Sequence, residues 1–195
     1  MIDQLLKKDP VDQRRRLFLK CCALSALSSI CPRLGFGAEH RYLPQRRALS
    51  FLNLHTEESL KTVYCKHGRY IAESLFGINH ILRDHRTGEV RWIDPRLLDL
   101  IFRIRMQIKP QDAFHIISGY RSPQTNALLR KNGRGVAKHS FHLLGKAVDL
   151  RLPEISLSRL RDIAAKQRGG GIGYYPRSNF IHLDIGPIRY WNGNV

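Results

Sequence analysis

The sequence predicts an α+β domain, a small and mostly antiparallel sheet with helices packed on it, and three observations carry that prediction. Segments with apolar residues recurring at three and four alternate with apolar runs of strand length. Toward the C-terminus a Gly-rich turn joins two such runs closely, which points to hairpins rather than to the crossover helices of a doubly wound sheet. The 195 residues, 43% of them hydrophobic, suffice for one substantial core and favour one domain, with no internal repeat.

Each element follows from local pattern. "RALSFLNLHT" alternates as a strand does, and "ESLKTVYC" continues or pairs with it. Residues 71–83 and 95–108 have helical periodicity; the second segment begins with Asp94 as N-cap and Pro95 at the first helical position. "AFHIISGY" is an apolar run ending in Gly, a buried strand. "SPQTNALLRK" opens another helix at Ser122 and Pro123. "GKAVDLRL" reads as a strand, "LSRLRDIAAKQ" as a helix, "GGGIGYY" as a turn into a strand, and "NFIHLDIG" as a final strand.

The first 38 residues have a different character. "DQRRRLFLKCCALSALSSICPRLGFGAE" combines a basic start, an apolar stretch and a small-residue boundary, the pattern of an export signal. Arg15, Arg16, Phe18, Leu19 and Lys20 form R-R-x-F-L-K, which resembles the twin-arginine signal that exports folded proteins to the periplasm. The apolar stretch at 17–30 is shorter than the roughly 20 residues of a membrane span. The domain division is therefore 1–38 signal and 39–195 mature domain, with membrane contact only through the signal.

Cleavage there removes Cys21, Cys22 and Cys31 and leaves Cys65 alone, so the mature domain has no internal disulfide. The chain carries 33 Lys and Arg against 16 Asp and Glu, a formal +17. The mature part keeps 26 against 13, or +13. A polyanionic partner is expected from this balance: nucleic acid, anionic lipid or a carboxylate-rich wall polymer. Nucleic acid is disfavoured, because no recognised binding motif accompanies the charge and the chain is exported. "RRALS", "RDHRTGEVR" and "LLRKNGRG" are expected as exposed basic clusters.

Polar residues interrupt the predicted buried strands at three points. Asp149 sits among apolar neighbours in "AVDLRL", and His182 and Asp184, two apart in "NFIHLDIG", share one strand face. A buried carboxylate or imidazole without a partner is costly, and a divalent cation supplies one. His142, Asp149 and His182 have the donor types of a catalytic zinc site with a fourth position open to water. Other first-row ions suit the same donors.

Taken together, "SGYRSPQTN", "SFHLLGKAVDL" and "GGGIGYYPRSNFIHLDIG" contain S-x-H-x-x-G-x-A-x-D and closely resemble the zinc D-Ala-D-Ala carboxypeptidase-like murein peptidases, of the lysostaphin and hedgehog superfamily. The likeness covers roughly residues 45–195. It implies one Zn²⁺ held by His142, Asp149 and His182, with Gly145 and Ala147 allowing the backbone between the first two ligands to pack closely. Such an ion polarises the scissile carbonyl and lowers the pKa of water. Arg121 corresponds to the family arginine that holds a substrate carboxylate or the developing oxyanion. Ser140 corresponds to the motif serine, a substrate contact or a support for a ligand, and Tyr120 stands beside Arg121 as a further substrate contact. Many relatives place Asp or Glu three residues before the last histidine, as general base; here that position is Asn179, an amide that cannot take the proton. Asp184 is the first replacement, as base or as the group that orients His182, and His139 the second.

The activity implied is hydrolysis of amide bonds in peptidoglycan cross-links by a monomeric periplasmic enzyme during wall growth. Two other readings compete: a wall-binding module that keeps zinc without catalysis, with Asn179 as its support, and a D,D-carboxypeptidase that trims terminal D-alanine.

Overall fold

The computed structural model describes residues 43–108, 112–132 and 136–193, which belong to one compact unit, Leu43–Val195. The expected export signal, and with it the expected twin-arginine motif and Cys21, Cys22 and Cys31, lies outside the described residues. No helix among them is long and apolar enough to cross a membrane.

Eight strands form one sheet in the order β3-β2-β1-β4-β5-β7-β6-β8. They are β1 (Arg47–Asn53), β2 (Ser59–Lys66), β3 (Arg69–Tyr70), β4 (Phe114–Ser118), β5 (Ala147–Arg151), β6 (Gly171–Tyr175), β7 (Phe180–Asp184) and β8 (Arg189–Asn192). Most neighbours are antiparallel, and the parallel pairs are β1/β4 and β6/β8. The expected α+β class is what forms. Four α-helices stand among the described elements: α1 (Ala72–Ile81), α2 (Pro95–Met106), α3 (Pro123–Lys131) and α4 (Leu157–Lys166). A short 3-10 helix, Phe141–Leu144, precedes β5.

The helix starts obey local chemistry. Asp94 accepts a hydrogen bond from the Arg96 N–H, Ser122 from that of Thr125 and Ser156 from that of Arg159, and Pro95 and Pro123 occupy first-turn positions where no N–H is needed. Helix α2 buries Leu97, Leu98, Leu100, Ile101 and Ile104, each contributing roughly 1.5–3 kcal/mol by leaving water. They join Phe51, Ile78, Phe114, Val148, Leu150, Leu160, Ile181 and Leu183 in one core.

Three elements were not expected: β3, β8 and the 3-10 helix. Each is four residues or shorter, too short for a period to register. One expectation is corrected. Arg47 of "RRALS" is not a solvated surface cation; it is 7% exposed, pairs with Asp99 at 3.0 Å and donates to Cys65 Sγ. Asp99 also accepts from the hydroxyls of Tyr64 and Tyr70, so its site behind the sheet supplies enough partners to bury a guanidinium.

Candidate metal centre and catalytic pocket

The backbone brings the three predicted ligands together from two adjacent strands and the segment that enters one of them. Asp149 on β5 and His182 on β7 are direct cross-strand partners. His142 arrives from the 3-10 helix, whose first turn is capped by Ser140 Oγ accepting from the His142 N–H. The helix ends at Gly145, which turns the chain into β5 with φ of 63°, and a side chain there would strike the Trp92 carbonyl oxygen. That turn is why an imidazole and a carboxylate seven residues apart face one another.

His142 Nε2 lies 3.2 Å from Asp149 Oδ1, His182 Nδ1 lies 2.9 Å from the same oxygen, and the two nitrogens are 3.1 Å apart. A tetrahedral zinc with bonds of about 2.0–2.1 Å separates its ligand atoms by about 3.3 Å, close to this triangle. Hydrogen bonds on the outer ring nitrogens strengthen the fit. His142 Nδ1 donates to the Gly119 carbonyl at 2.7 Å, and His182 Nε2 donates to Asp184 Oδ2 at 3.0 Å. Both rings therefore turn a lone pair toward the Asp149 oxygen, an arrangement a cation resolves. All three residues are buried.

Electrostatics agree with the donor set at His142 and Asp149. Burial lowers the pKa of His142 and so favours the neutral form a metal needs. Burial opposes ionisation of Asp149, but the facing imidazoles of His142 and His182 outweigh it and hold the carboxyl below its usual range. For His182 burial again opposes charge, and hydrogen bonds to Asp149 and Asp184 overcome it, so its pKa is raised.

The triangle sits in a pocket of about 850 Å³. Arg121 enters it 8% exposed, with Nη2 3.6 Å from Asp149 Oδ2 and Nε unpartnered. His139, exposed in the turn before the 3-10 helix, and Ser140 also line it. Tyr120 differs from the expected substrate contact: it is 2% exposed, outside the pocket lining, and its hydroxyl donates to Glu89. Of the two neighbours, only Arg121 lines the pocket.

Asp184 is fully buried, and its oxygens accept from Gly171 N–H, Gly186 N–H and Arg189 as well as His182. It stands on the far side of the His182 ring from the ligand triangle. Asn179 sits in the β6–β7 turn with φ of 53°, a left-handed conformation that Asn tolerates well, and lines a separate hollow with His115 and Arg151. Its identity therefore does not bear on the metal.

Sequence reasoning missed the other walls of the pocket. Arg189 and Trp191 on β8 reach across β6 over Gly171 and Gly173, their register partners. A Cβ at Gly173 would come within 2.6 Å of the Trp191 indole, so this glycine is what lets the ring lie 5.2 Å from His182. Trp191 Nε1 donates to the Tyr175 hydroxyl, and Tyr175 stacks on Phe180. Arg86 and His55 also line the pocket. The G-x-G at Gly171 and Gly173, running directly into Tyr174 and Tyr175, was the available signal.

Comparison with known proteins gives a decisive match. The family model described as Peptidoglycan L,D-endopeptidase MepK matches residues 41–191. The chain belongs to that family. It is 41% identical over 183 residues to the Peptidoglycan L,D-endopeptidase MepK of Escherichia coli K12, covering 94% of this chain and all of that one. It is 37% identical over 184 residues to the Probable peptidoglycan L,D-endopeptidase MepK of Haemophilus influenzae, covering 94% and 98%. No solved structure matches the chain. The resemblance to murein endopeptidases is thus borne out, and with it a hydrolase acting on peptide bonds.

Proposed function

We propose that this chain is an exported, zinc-dependent murein endopeptidase that cuts L,D peptide bonds in peptidoglycan cross-links during wall growth and remodelling. The observation that carries the reading is the convergence of His142 Nε2, Asp149 Oδ1 and His182 Nδ1 at the floor of an open pocket in a member of this peptidase family. The relatives' names specify an L,D bond. In murein that bond joins the L-centre carboxyl of one diaminopimelate to the D-centre amine of another, the 3-3 cross-link, whereas a 4-3 cross-link is a D,D bond. The substrate is extracytoplasmic, and the R-R-x-F-L-K signal supports twin-arginine export to the periplasm.

A zinc ion held by His142, Asp149 and His182 supplies Lewis acidity to the scissile carbonyl and lowers the pKa of water. Arg121, buried beside Asp149, stabilises negative charge growing on the carbonyl oxygen. Asp184 orients His182 by accepting its Nε2 proton, and Arg189 in turn holds Asp184. The role of proton acceptor passes to His139, whose imidazole is open to the pocket, because Asp184 is enclosed behind His182. Ser140 holds the His142 backbone and presents its hydroxyl at the pocket wall.

Digestion of purified cross-linked murein by residues 39–195, with and without chelator and after zinc is restored, tests this reading. Conversion of 3-3 dimers to monomers, abolished by chelator and revived by zinc, is expected. Murein that is bound while its cross-links persist under all conditions identifies a wall-binding module instead. Release of terminal D-alanine alone identifies a carboxypeptidase.

A further inference from the structure

Three arginines and one carboxylate line the pocket, a charge imbalance that the reaction as derived does not use up. The carboxylate, Asp149, is committed to two imidazoles. Arg189 is neutralised by Asp184, with bonds of 2.6 and 3.1 Å. Arg121 is nine-tenths buried, and its Nε has no hydrogen-bond partner although it is sealed from solvent. Arg86 makes no ion pair among the described residues, yet it lines the same pocket.

Arg86 is held in place from beneath. The Asp84 carboxylate is 2% exposed; its Oδ1 accepts from the Arg86 N–H at 2.9 Å and its Oδ2 from the Ser122 N–H at 2.8 Å. Ser122 follows Arg121, so one buried carboxylate ties together the two turns that carry the pocket's cations. Two backbone hydrogen bonds close the first turn: Gly88 N–H to Asp84 O, and Asp84 N–H to Glu89 O. Beside it, the rings of His55 and His85 stack 3.8 Å apart. Arg86 and Arg121 both line the pocket, on the two segments that Asp84 joins. Two arginines lining one pocket, neither of them neutralised as Arg189 is, suit an anionic group of the substrate.

We propose that Arg86, on the turn that Asp84 ties to the segment following Arg121, binds a free carboxylate of the substrate peptide and makes the enzyme discriminate against amidated cross-links. This rests on the murein-endopeptidase reading. In an L,D-linked diaminopimelate dimer the carbon bearing the scissile nitrogen also bears a free carboxylate, so a cationic pair near the cleavage point has a partner of the right charge. A guanidinium fork is suited to a carboxylate, and one charge-assisted contact at a partly solvated site corresponds to about tenfold in affinity.

The test compares two synthetic L,D-linked diaminopimelate dimers, one with that carboxylate free and one with it amidated, using the zinc-loaded protein and its R86Q and R86K variants. Wild type favours the free dimer by about tenfold in kcat/KM. R86Q brings the two substrates within about twofold of each other through KM, while R86K, which keeps the charge without the fork, restores part of the preference. Equal rates on both dimers by wild type, or an undiminished preference in R86Q, overturns the proposal. Calorimetric binding of the free and amidated diaminopimelate tripeptides runs alongside. If neither dimer is cut the endopeptidase reading fails, and equal tripeptide affinities then overturn the Arg86 contact as well; a preference lost in R86Q upholds the contact even so.

Discussion

Asp149 and His182 face one another across β5 and β7, with Oδ1 2.9 Å from Nδ1, so the sheet register itself sets the distance between two of the proposed metal ligands. Replacing Asp149 with Asn keeps the shape and removes the charge. Zinc content, read by atomic absorption, is expected to fall from stoichiometric to near none, with murein cleavage lost and the circular dichroism spectrum retained. Stoichiometric zinc in Asp149→Asn contradicts the ligand assignment.

Asp184 touches the candidate metal centre only through His182, whose Nε2 lies 3.0 Å from its Oδ2. In Asp184→Asn, an amide N–H facing Nε2 favours the tautomer with its proton on Nδ1, the nitrogen that belongs to the ligand triangle, and strands Arg189. Zinc affinity, measured by competition with a chelating dye, drops about 10- to 100-fold. Activity returns at saturating zinc if orientation is the whole role; a loss that saturating zinc leaves in place marks Asp184 as the base instead.

Asp84 makes stability depend on acid. Burial works against its charge, but hydrogen bonds from Thr125, Ser122 and Arg86 prevail and bring its pKa down to about 2. A folded pKa below the ordinary carboxylate value contributes stability above about pH 4, and that contribution is lost as pH falls from about 4 to 2. Wild type is therefore about 2 kcal/mol more stable than Asp84→Asn at pH 7, and the difference closes in that window. Urea melts at stepped pH read it directly, and a difference that stays constant down to pH 2 refutes the assignment.

Gly173→Ala tests the aromatic wall. The added methyl meets the Trp191 indole at 2.6 Å, and the ring must leave its place beside His182. The expected result is a loss of about 1–3 kcal/mol in stability and a red shift in tryptophan emission. The other tryptophan, Trp92, is already 52% exposed, so the shift reports Trp191. An unchanged emission spectrum shows that the wall tolerates the methyl.

Short-range pattern sufficed for most of the elements. Asp94-Pro95 and Ser122-Pro123 mark helix starts because a cap and a missing N–H act within one turn. His182 and Asp184 share a strand face because side chains alternate with period two, and the motif around His142 and Asp149 was legible because its likeness to a peptidase family is dense in a short span. The parallel pairing of β1 with β4 and of β6 with β8 was not legible, since strand partners are chosen by packing across the whole sheet. Arg47 looked like a surface cation until Asp99, more than fifty residues away, came within 3.0 Å of it.

The sequence by itself determined the α+β class, the helix caps and the donor types of the metal centre, because propensity, capping and ligand chemistry are properties of neighbouring residues. Only the tertiary structure decided which groups meet in the pocket. It turned Asn179 and Tyr120 away, enclosed Asp184 behind His182, carried Trp191 over Gly173 and tied the Arg86 backbone to that of Ser122 through Asp84. Those contacts depend on sheet register and on the closing of long loops, and no local pattern carries them.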